Sequence, residues 1–145
     1  MALTLDRKRN TGTVSRDALA EVIDLIIGND GGTYGMRQFY RNPHLSVIAS
    51  DMQDVETALT GIGKRLRLDG YTIGNFLGDL APQVEAMYAL YMRCMDEKRV
   101  SYSYSNRYHN ESENPWTQIS SFLSASIIKL EALKNSAESA KAFVD

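Results

Sequence analysis

The chain has 145 residues, 43% of them apolar and 23% charged, so it can bury a core and is too apolar to be wholly disordered. Its 16 basic and 18 acidic side chains give a net charge of −2, which argues against a dedicated duplex-DNA binder and against an acidic mimic of DNA. Any nucleic-acid site must therefore be a local patch.

Residues 1–14 are polar and basic, and we interpret them as a flexible N-terminal arm before a single helical domain at 15–145. The arm has no apolar signal core, and no run of eighteen apolar residues predicts a membrane span. We therefore expect a soluble, cytoplasmic protein. The single cysteine, Cys94, excludes an intrachain disulfide, and its half-apolar surroundings favour a buried, inert thiol.

The first predicted helix covers residues 16–28. Leu19, Ile23 and Ile26 recur at helical spacing, and Ser15 is a credible N-cap in front of them. The glycine-rich run at 28–32 ends the helix, because glycine accepts the left-handed conformation that C-caps need.

The second long helix is predicted at 51–68. Short apolar segments precede it, at 36–40 as a short helix and at 44–49 as either a strand or a helix. An apolar stripe with helical spacing then runs from Met52 to Leu66. Gly61 and Gly63 lie inside this pattern, which predicts close packing against a neighbour or a bend.

Two further helices are predicted at 73–97 and 115–140. Pro82 should kink or restart the first of them. The second begins with Asn114 as N-cap and Pro115 at the first helical position. No long alternating pattern of a strand appears, so the sequence predicts an all-α fold, a single-domain bundle of four to five helices with a long ordered loop near 99–114.

Patterns of catalysis are weak in this chain. The two histidines, His44 and His109, have no zinc-type spacing, and the stretch at 60–65 lacks the first glycine and the hydroxyl residue of a phosphate loop. Asp51 and Asp54 lie one turn apart, but acid is expected at the start of a helix. We therefore predict a non-enzymatic protein with no catalytic residues, no cofactor and no metal.

Short basic clusters offer possible phosphate contacts. Because the net charge is slightly negative, they either converge into one patch or are spread over an ordinary surface. The candidates are Arg7, Lys8, Arg9, Lys64, Arg65 and Arg67.

The stretch at 101–116, SYSYSNRYHNESENPW, interleaves rings with cations. The mixture suits stacking on single-stranded nucleic acid, a protein interface, or rings of an extended segment packed on the bundle. Glu111 and Glu113 weaken the nucleic-acid alternative. The residues that we assign to partner binding are Arg99, Tyr102, Tyr104, Arg107 and Tyr108.

The last predicted helix carries an apolar band that is wide for a helix covering a small bundle from one side. We expect it to form the interface of a homo-oligomer, most simply a dimer, although complete coverage by its own bundle is the alternative. The interface residues would be Ile119, Phe122, Leu123, Ile127 and Leu130.

The first interpretation of function is binding to another protein, as an assembly component, adaptor or inhibitor. The small size and the absence of catalytic patterning resemble accessory proteins of viruses or mobile elements. The alternative is a regulatory nucleic-acid binder that uses the basic clusters and the segment 99–109. Convergence of the cations would favour nucleic acid, whereas an exposed apolar patch would favour protein.

Overall fold

The structure is a computed structural model that describes residues 15–28, 35–40, 43–105 and 115–144. Within these ranges the secondary structure is helical and contains no strand, which confirms the predicted all-α class. Among these residues are four long helices, and two short helices lie between the first and the second of them. Their bounds are α1 (Arg16–Ile27), α2 (Met36–Phe39), a 3₁₀ helix (Pro43–Val47), α3 (Ala49–Leu66), α4 (Ile73–Ser105) and α5 (Pro115–Val144).

Local signals define both ends of α1. The backbone N–H of Ala18 donates to the Ser15 hydroxyl at 3.2 Å, which satisfies one of the free amides of the first turn. Gly28 ends the helix with φ 86°, and its N–H donates to the carbonyl of Asp24. The predicted caps at both residues are therefore confirmed.

Polar side chains in α2 and directly after it hold this part of the chain to α3. The segment Pro43–Val47 forms a 3₁₀ helix, where the sequence allowed either a strand or a helix. Glu56 of α3 accepts hydrogen bonds from Arg37 Nε and from the Tyr40 hydroxyl, both at 2.7 Å. Burial and the hydrogen bond to Glu56 raise the pKa of Tyr40, so this phenol remains a neutral donor at physiological pH.

Gly63 has the close neighbour that the sequence predicted. A Cβ at this buried position would lie 3.7 Å from Cγ2 of Ile23 in α1. The Arg16 side chain reaches the other end of the same contact, where it donates to the carbonyls of Leu66 and Leu68. These contacts fix α1 against the C-terminal half of α3.

Helix α4 is longer than the sequence predicted. It continues past Lys98 to Ser105 and contains Pro82 within its span, so the first part of the predicted loop near 99–114 is helical. Residues 106–114 lie outside the described ranges. Helical backbone at 101–105 also corrects one alternative, because positions 102 and 104 would share one side of an extended segment but lie on opposite sides of a helix.

The long helices surround one apolar core. Helix α1 packs on α3, α3 on α4 and α4 on α5, while α5 closes back onto α1. The buried apolar side chains form one continuous cluster to which every helix contributes. Among the described residues, no helix is both long enough and apolar enough to cross a membrane.

The core includes residues that the sequence assigned to an oligomer interface. Ile119, Leu123 and Leu130 are 0% exposed, and Ile127 is 4% exposed. Phe122 is half-buried, with its ring centroid 5.0 Å from that of Phe39. The chain's own bundle covers most of this band, which favours the intramolecular alternative; the role of these residues in an oligomer interface stays a prediction. Self-association through another surface stays a prediction.

Candidate functional site

The basic cluster at the end of α3 is engaged by nearby carboxylates. Arg67 Nη2 lies 2.8 Å from Asp24 Oδ2 of α1. Arg65 lies 3.4 Å from Asp79, and its guanidinium stands over the Tyr71 ring at 5.6 Å from the centroid. These partners balance the positive charge and connect α3 to both neighbouring helices, which favours a structural role.

The described cations do not converge. Lys64, Arg65 and Arg67 lie at the end of α3 that adjoins the start of α4, whereas Arg99 lies 26 positions beyond Ile73. At a rise of 1.5 Å per residue, this spacing places the backbone of Arg99 about 39 Å along α4 from its start. Arg99 also pairs with Asp96 at 3.4 Å. Arg7, Lys8 and Arg9 lie outside the described residues.

The residues assigned to partner binding are only partly described. Tyr102 and Tyr104 belong to the helical backbone of α4, whereas Arg107 and Tyr108 lie outside the described ranges. The helical period places position 102 on the same side of α4 as Tyr91, Met95 and Lys98. Position 104 falls on the opposite side.

A groove runs along the outer seam between α4 and α5. One wall carries large side chains of α4, Tyr91 and Met95, while α5 contributes Ile128 and small residues. The groove has a volume of about 360 Å³. Its small-residue floor consists of Ser120, Ser121, Ser124 and Ala125.

The two helices run antiparallel along this groove. The Tyr88 hydroxyl donates to Glu131 Oε2 at 2.7 Å, and each residue lies about equally far from the connection between the helices. In this register Tyr91 lies opposite Ile128, and Lys98 lies opposite Ser121. All four residues line the groove. The lining residues span Tyr91 to Lys98 on α4 and Ser120 to Ile128 on α5, so the groove is about 10–12 Å long at 1.5 Å per residue.

Large apolar side chains are exposed beside the groove. Met92 is 60% exposed and Ile128 is 65% exposed, and Tyr88 is also exposed. On the helix surface Met92 lies next to Tyr88 and Met95, because residues three and four apart are neighbours. We name the set Tyr88, Tyr91, Met92, Met95 and Ile128 the apolar seam. Exposed apolar patches mark interaction sites, and methionine is frequent at adaptable binding surfaces.

A second groove lies between α3 and α4, with a volume of about 530 Å³. Buried Ile48, Val55 and Leu90 form its base. The carboxylates at its rim belong to α3, and a guanidinium belongs to α4. The other lining residues are Asp51, Asp54, Gln83, Ala86, Ala89 and Arg93.

Cys94 has the environment that the sequence predicted. Its side chain is 0% exposed, and burial raises the pKa of its thiol from about 9 to about 12. The thiol is therefore a neutral core group at physiological pH. Within the described ranges, no three histidine, cysteine or acidic side chains come together in a way that would hold a metal ion.

Comparison with known proteins found no match to a family model, to a curated protein or to a solved structure. The surface chemistry is therefore the basis for any proposal about function. The likeness to small viral or mobile-element accessory proteins stays a prediction.

Neither groove was predicted from the sequence, because half-buried positions cannot be distinguished from core by spacing alone. The spacing of α4 does contain a signal. Tyr88, Met92 and Met95 lie on one face, beside the face formed by the buried residues Met87, Leu90 and Cys94.

Proposed function

We propose that the chain is a non-enzymatic helical protein that works by binding another protein, and that the apolar seam between α4 and α5 is its binding surface. The observation that carries this proposal is the exposure of Met92 and Ile128 beside a groove with a small-residue floor. Met92 and Ile128 adjoin further apolar side chains of the seam, and contiguous exposed apolar patches mark interaction sites.

The partner segment that fits best is an amphipathic helix. The groove is about 10–12 Å long, which equals the rise of roughly seven to eight helical residues. Small side chains on α5 allow a third helix to approach closely, while Tyr91, Met95 and Ile128 can interdigitate with its apolar face. The partner's apolar residues would then recur at helical spacing.

Nucleic acid receives less support as the partner. Arg65 and Arg67 are engaged by Asp79 and Asp24, and Arg99 lies at the far end of α4. A phosphate track of several adjacent nucleotides requires cations along one path. Of the residues assigned to partner binding, Tyr102 occupies a position on the same side of α4 as the seam and is included in this proposal.

The test is site-specific photocrosslinking in cells that naturally produce the protein. A photoreactive residue at position 128 should crosslink a discrete partner protein, and adding Met92→Asp should abolish that product. The matched control is the same residue at position 68, since Leu68 is 60% exposed but lies in the turn between α3 and α4. Position 68 should give no such product.

Treatment with nuclease separates the two kinds of partner. A protein partner that binds the seam directly should remain crosslinked after nuclease treatment. Loss of the product on that treatment, or equal products from positions 68 and 128, would overturn the proposal.

A further inference from the structure

We propose that the groove between α3 and α4 is a second docking site, and that its occupant is an amphipathic helix of a partner protein with lysine or arginine along one flank. This site lies on the other side of α4 from the apolar seam and does not depend on it. The shape of the groove, its unpaired carboxylates and the distribution of charge along its two walls support this occupant.

The shape of the groove follows from small residues on α4. Ala86 and Ala89 occupy positions where larger side chains would fill the space against α3. As a result, buried Val55 and Leu90 form an apolar base beneath an open volume of about 530 Å³. Apolar side chains of a ligand would bury their surface here, which is the main source of favourable binding energy.

The length of the groove suits a helical segment. Along α4 it extends from Gln83 to Arg93, about 15 Å at 1.5 Å per residue. Two to three turns of a partner helix would fill that length. A helix laid in such a groove buries residues at i, i+3 or i+4, and i+7.

The carboxylates at the α3 wall lack partners among the described residues. Asp51 and Asp54 are exposed and make no ion pair or side-chain hydrogen bond with any residue of those ranges. By contrast, Asp24, Glu56 and Asp79 all pair with arginine. A lysine or arginine of a partner would pair with these two carboxylates.

The helix dipole explains only one of the two carboxylates. Asp51 lies in the first turn of α3, where negative charge stabilises the free amide groups. Asp54 lies in the next turn, and the dipole effect fades within the first. Asp54 therefore has no such local role at the rim of the groove.

The α4 wall of the groove has one charged lining residue, Arg93. Glu97 lies 3.5 Å from the Arg93 guanidinium and balances its charge in part. The net charge of the rim is therefore negative and concentrated on α3. A partner helix should place its lysine or arginine residues toward α3, and phosphate groups would be repelled.

Two synthetic helical peptides of about fifteen residues serve as probes. Both carry leucine at i, i+3, i+7 and i+10, and one carries lysine on the flank where the other carries glutamate. Binding to the full-length chain is followed by chemical shifts of its backbone amides. We expect the lysine peptide to bind at least about tenfold more tightly and to shift the signals of 48–55 and 83–93.

Variants of the full-length chain separate the rim from the groove. Asp51→Lys combined with Asp54→Lys should reverse the preference so that the glutamate peptide binds better. Ala89→Trp should weaken both peptides, because it fills the space without changing the charge. Ile128→Asp on the other seam should change neither affinity, and circular dichroism checks that each variant remains helical.

Several results would overturn the proposal. They are an absence of lysine-peptide binding at millimolar concentration, a preference that survives the double charge reversal, and shifts confined to the seam between α4 and α5. A lysine peptide whose affinity is insensitive to Ala89→Trp would show that it binds the rim charges alone and would also overturn it.

Discussion

The two sides of α4 form grooves in opposite ways. Toward α3, the helix contributes the small residues Ala86 and Ala89 between Gln83 and Arg93, and its neighbour supplies the larger residues Asp51, Asp54 and Val55. Toward α5, it contributes the large residues Tyr91 and Met95, and the neighbour supplies serine and alanine. In both cases a groove forms because one helix of a packed pair has small side chains where the other does not.

The rims of the two grooves differ more than their shapes. Asp51 and Asp54 make the α3 side negative, whereas Met92 and Ile128 make the α5 side apolar. Apolar surface contributes affinity, and charge contributes selectivity and the rate of encounter. One helix therefore borders two grooves whose rims differ in chemistry.

Thiols at positions 94 and 92 should show the largest difference, which is in their rate of alkylation, since Cys94 faces the core and Met92 faces solvent. With its pKa raised from about 9 to about 12, the Cys94 thiol has about a thousandfold less thiolate at pH 8 than an ordinary thiol. Alkylation of the folded protein should be slower by about that factor than in denaturant. In a Cys94→Ala background, Met92→Cys should react as an exposed thiol does. Equal rates at the two positions would contradict this assignment of faces.

The same pKa shift predicts a dependence of stability on pH. The raised pKa means that folding favours the neutral thiol, so the contribution is complete below pH 9 and is lost as the pH rises toward 12. Burial and the hydrogen bond to Asp79 raise the pKa of Tyr71 to about 12, so this residue adds a loss of stability between pH 10 and 12. Unfolding in urea should show a shallower alkaline decline for Cys94→Ala than for the wild type.

Ile127 and Ile128 should differ next, although they are neighbours in the chain. Ile127→Asp places a carboxylate in the core and should lower the free energy of unfolding by more than about 3 kcal/mol. Ile128→Asp changes an exposed position and should alter it by less than about 0.5 kcal/mol. Urea denaturation measures both values.

The same pair tests self-association. If copies of the chain associate through α5, the exposed Ile128 has to take part, because the predicted interface residues are covered. Sedimentation of wild type and Ile128→Asp at high micromolar concentration gives the answer. A dimer that persists in the variant would place the interface away from this seam, and a wild type that is only monomeric would refute the prediction of a dimer.

Substitutions of Tyr102 and Tyr104 should show the smallest difference, which is in affinity for the partner. Position 102 continues the face of Tyr91 and Met95, so Tyr102→Ala should weaken partner binding by about 1–2 kcal/mol, as is usual for an interface tyrosine. Tyr104→Ala should leave binding unchanged. Affinity for the captured partner, with the melting temperature as a check on folding, measures this effect. Equal losses would mean that the seam ends before residue 102.

The sequence by itself determined the helices, because their signals are local. Ser15, Gly28 and Pro115 mark helix ends through the backbone geometry that each residue favours, and all three are found where the sequence predicted. The apolar spacing along α1 and α3 likewise predicted which of their residues are buried. Such signals need only neighbours within a few residues of the chain.

The end of α4 was wrong in the prediction because it lacks a local signal. No glycine or proline follows Lys98 before Ser105, and the tyrosines and serines of that stretch suggested a loop although they tolerate a helix. Pro82, by contrast, is a strong local signal against a helix interior, yet α4 continues through it. Packing of α4 against α3 and α5 outweighs the weak preference of single residues, as tertiary contacts commonly do.

Only the tertiary structure decided which apolar face is covered and where the grooves lie. The band of Ile119, Leu123 and Ile127 looked too wide for one bundle, yet α5 buries it completely against its neighbours. The grooves join residues almost forty positions apart in the chain, as Asp54 and Arg93 or Tyr91 and Ile128 show. Spacing along a helix defines a face, but whether that face meets solvent, a groove or the core depends on the register between helices.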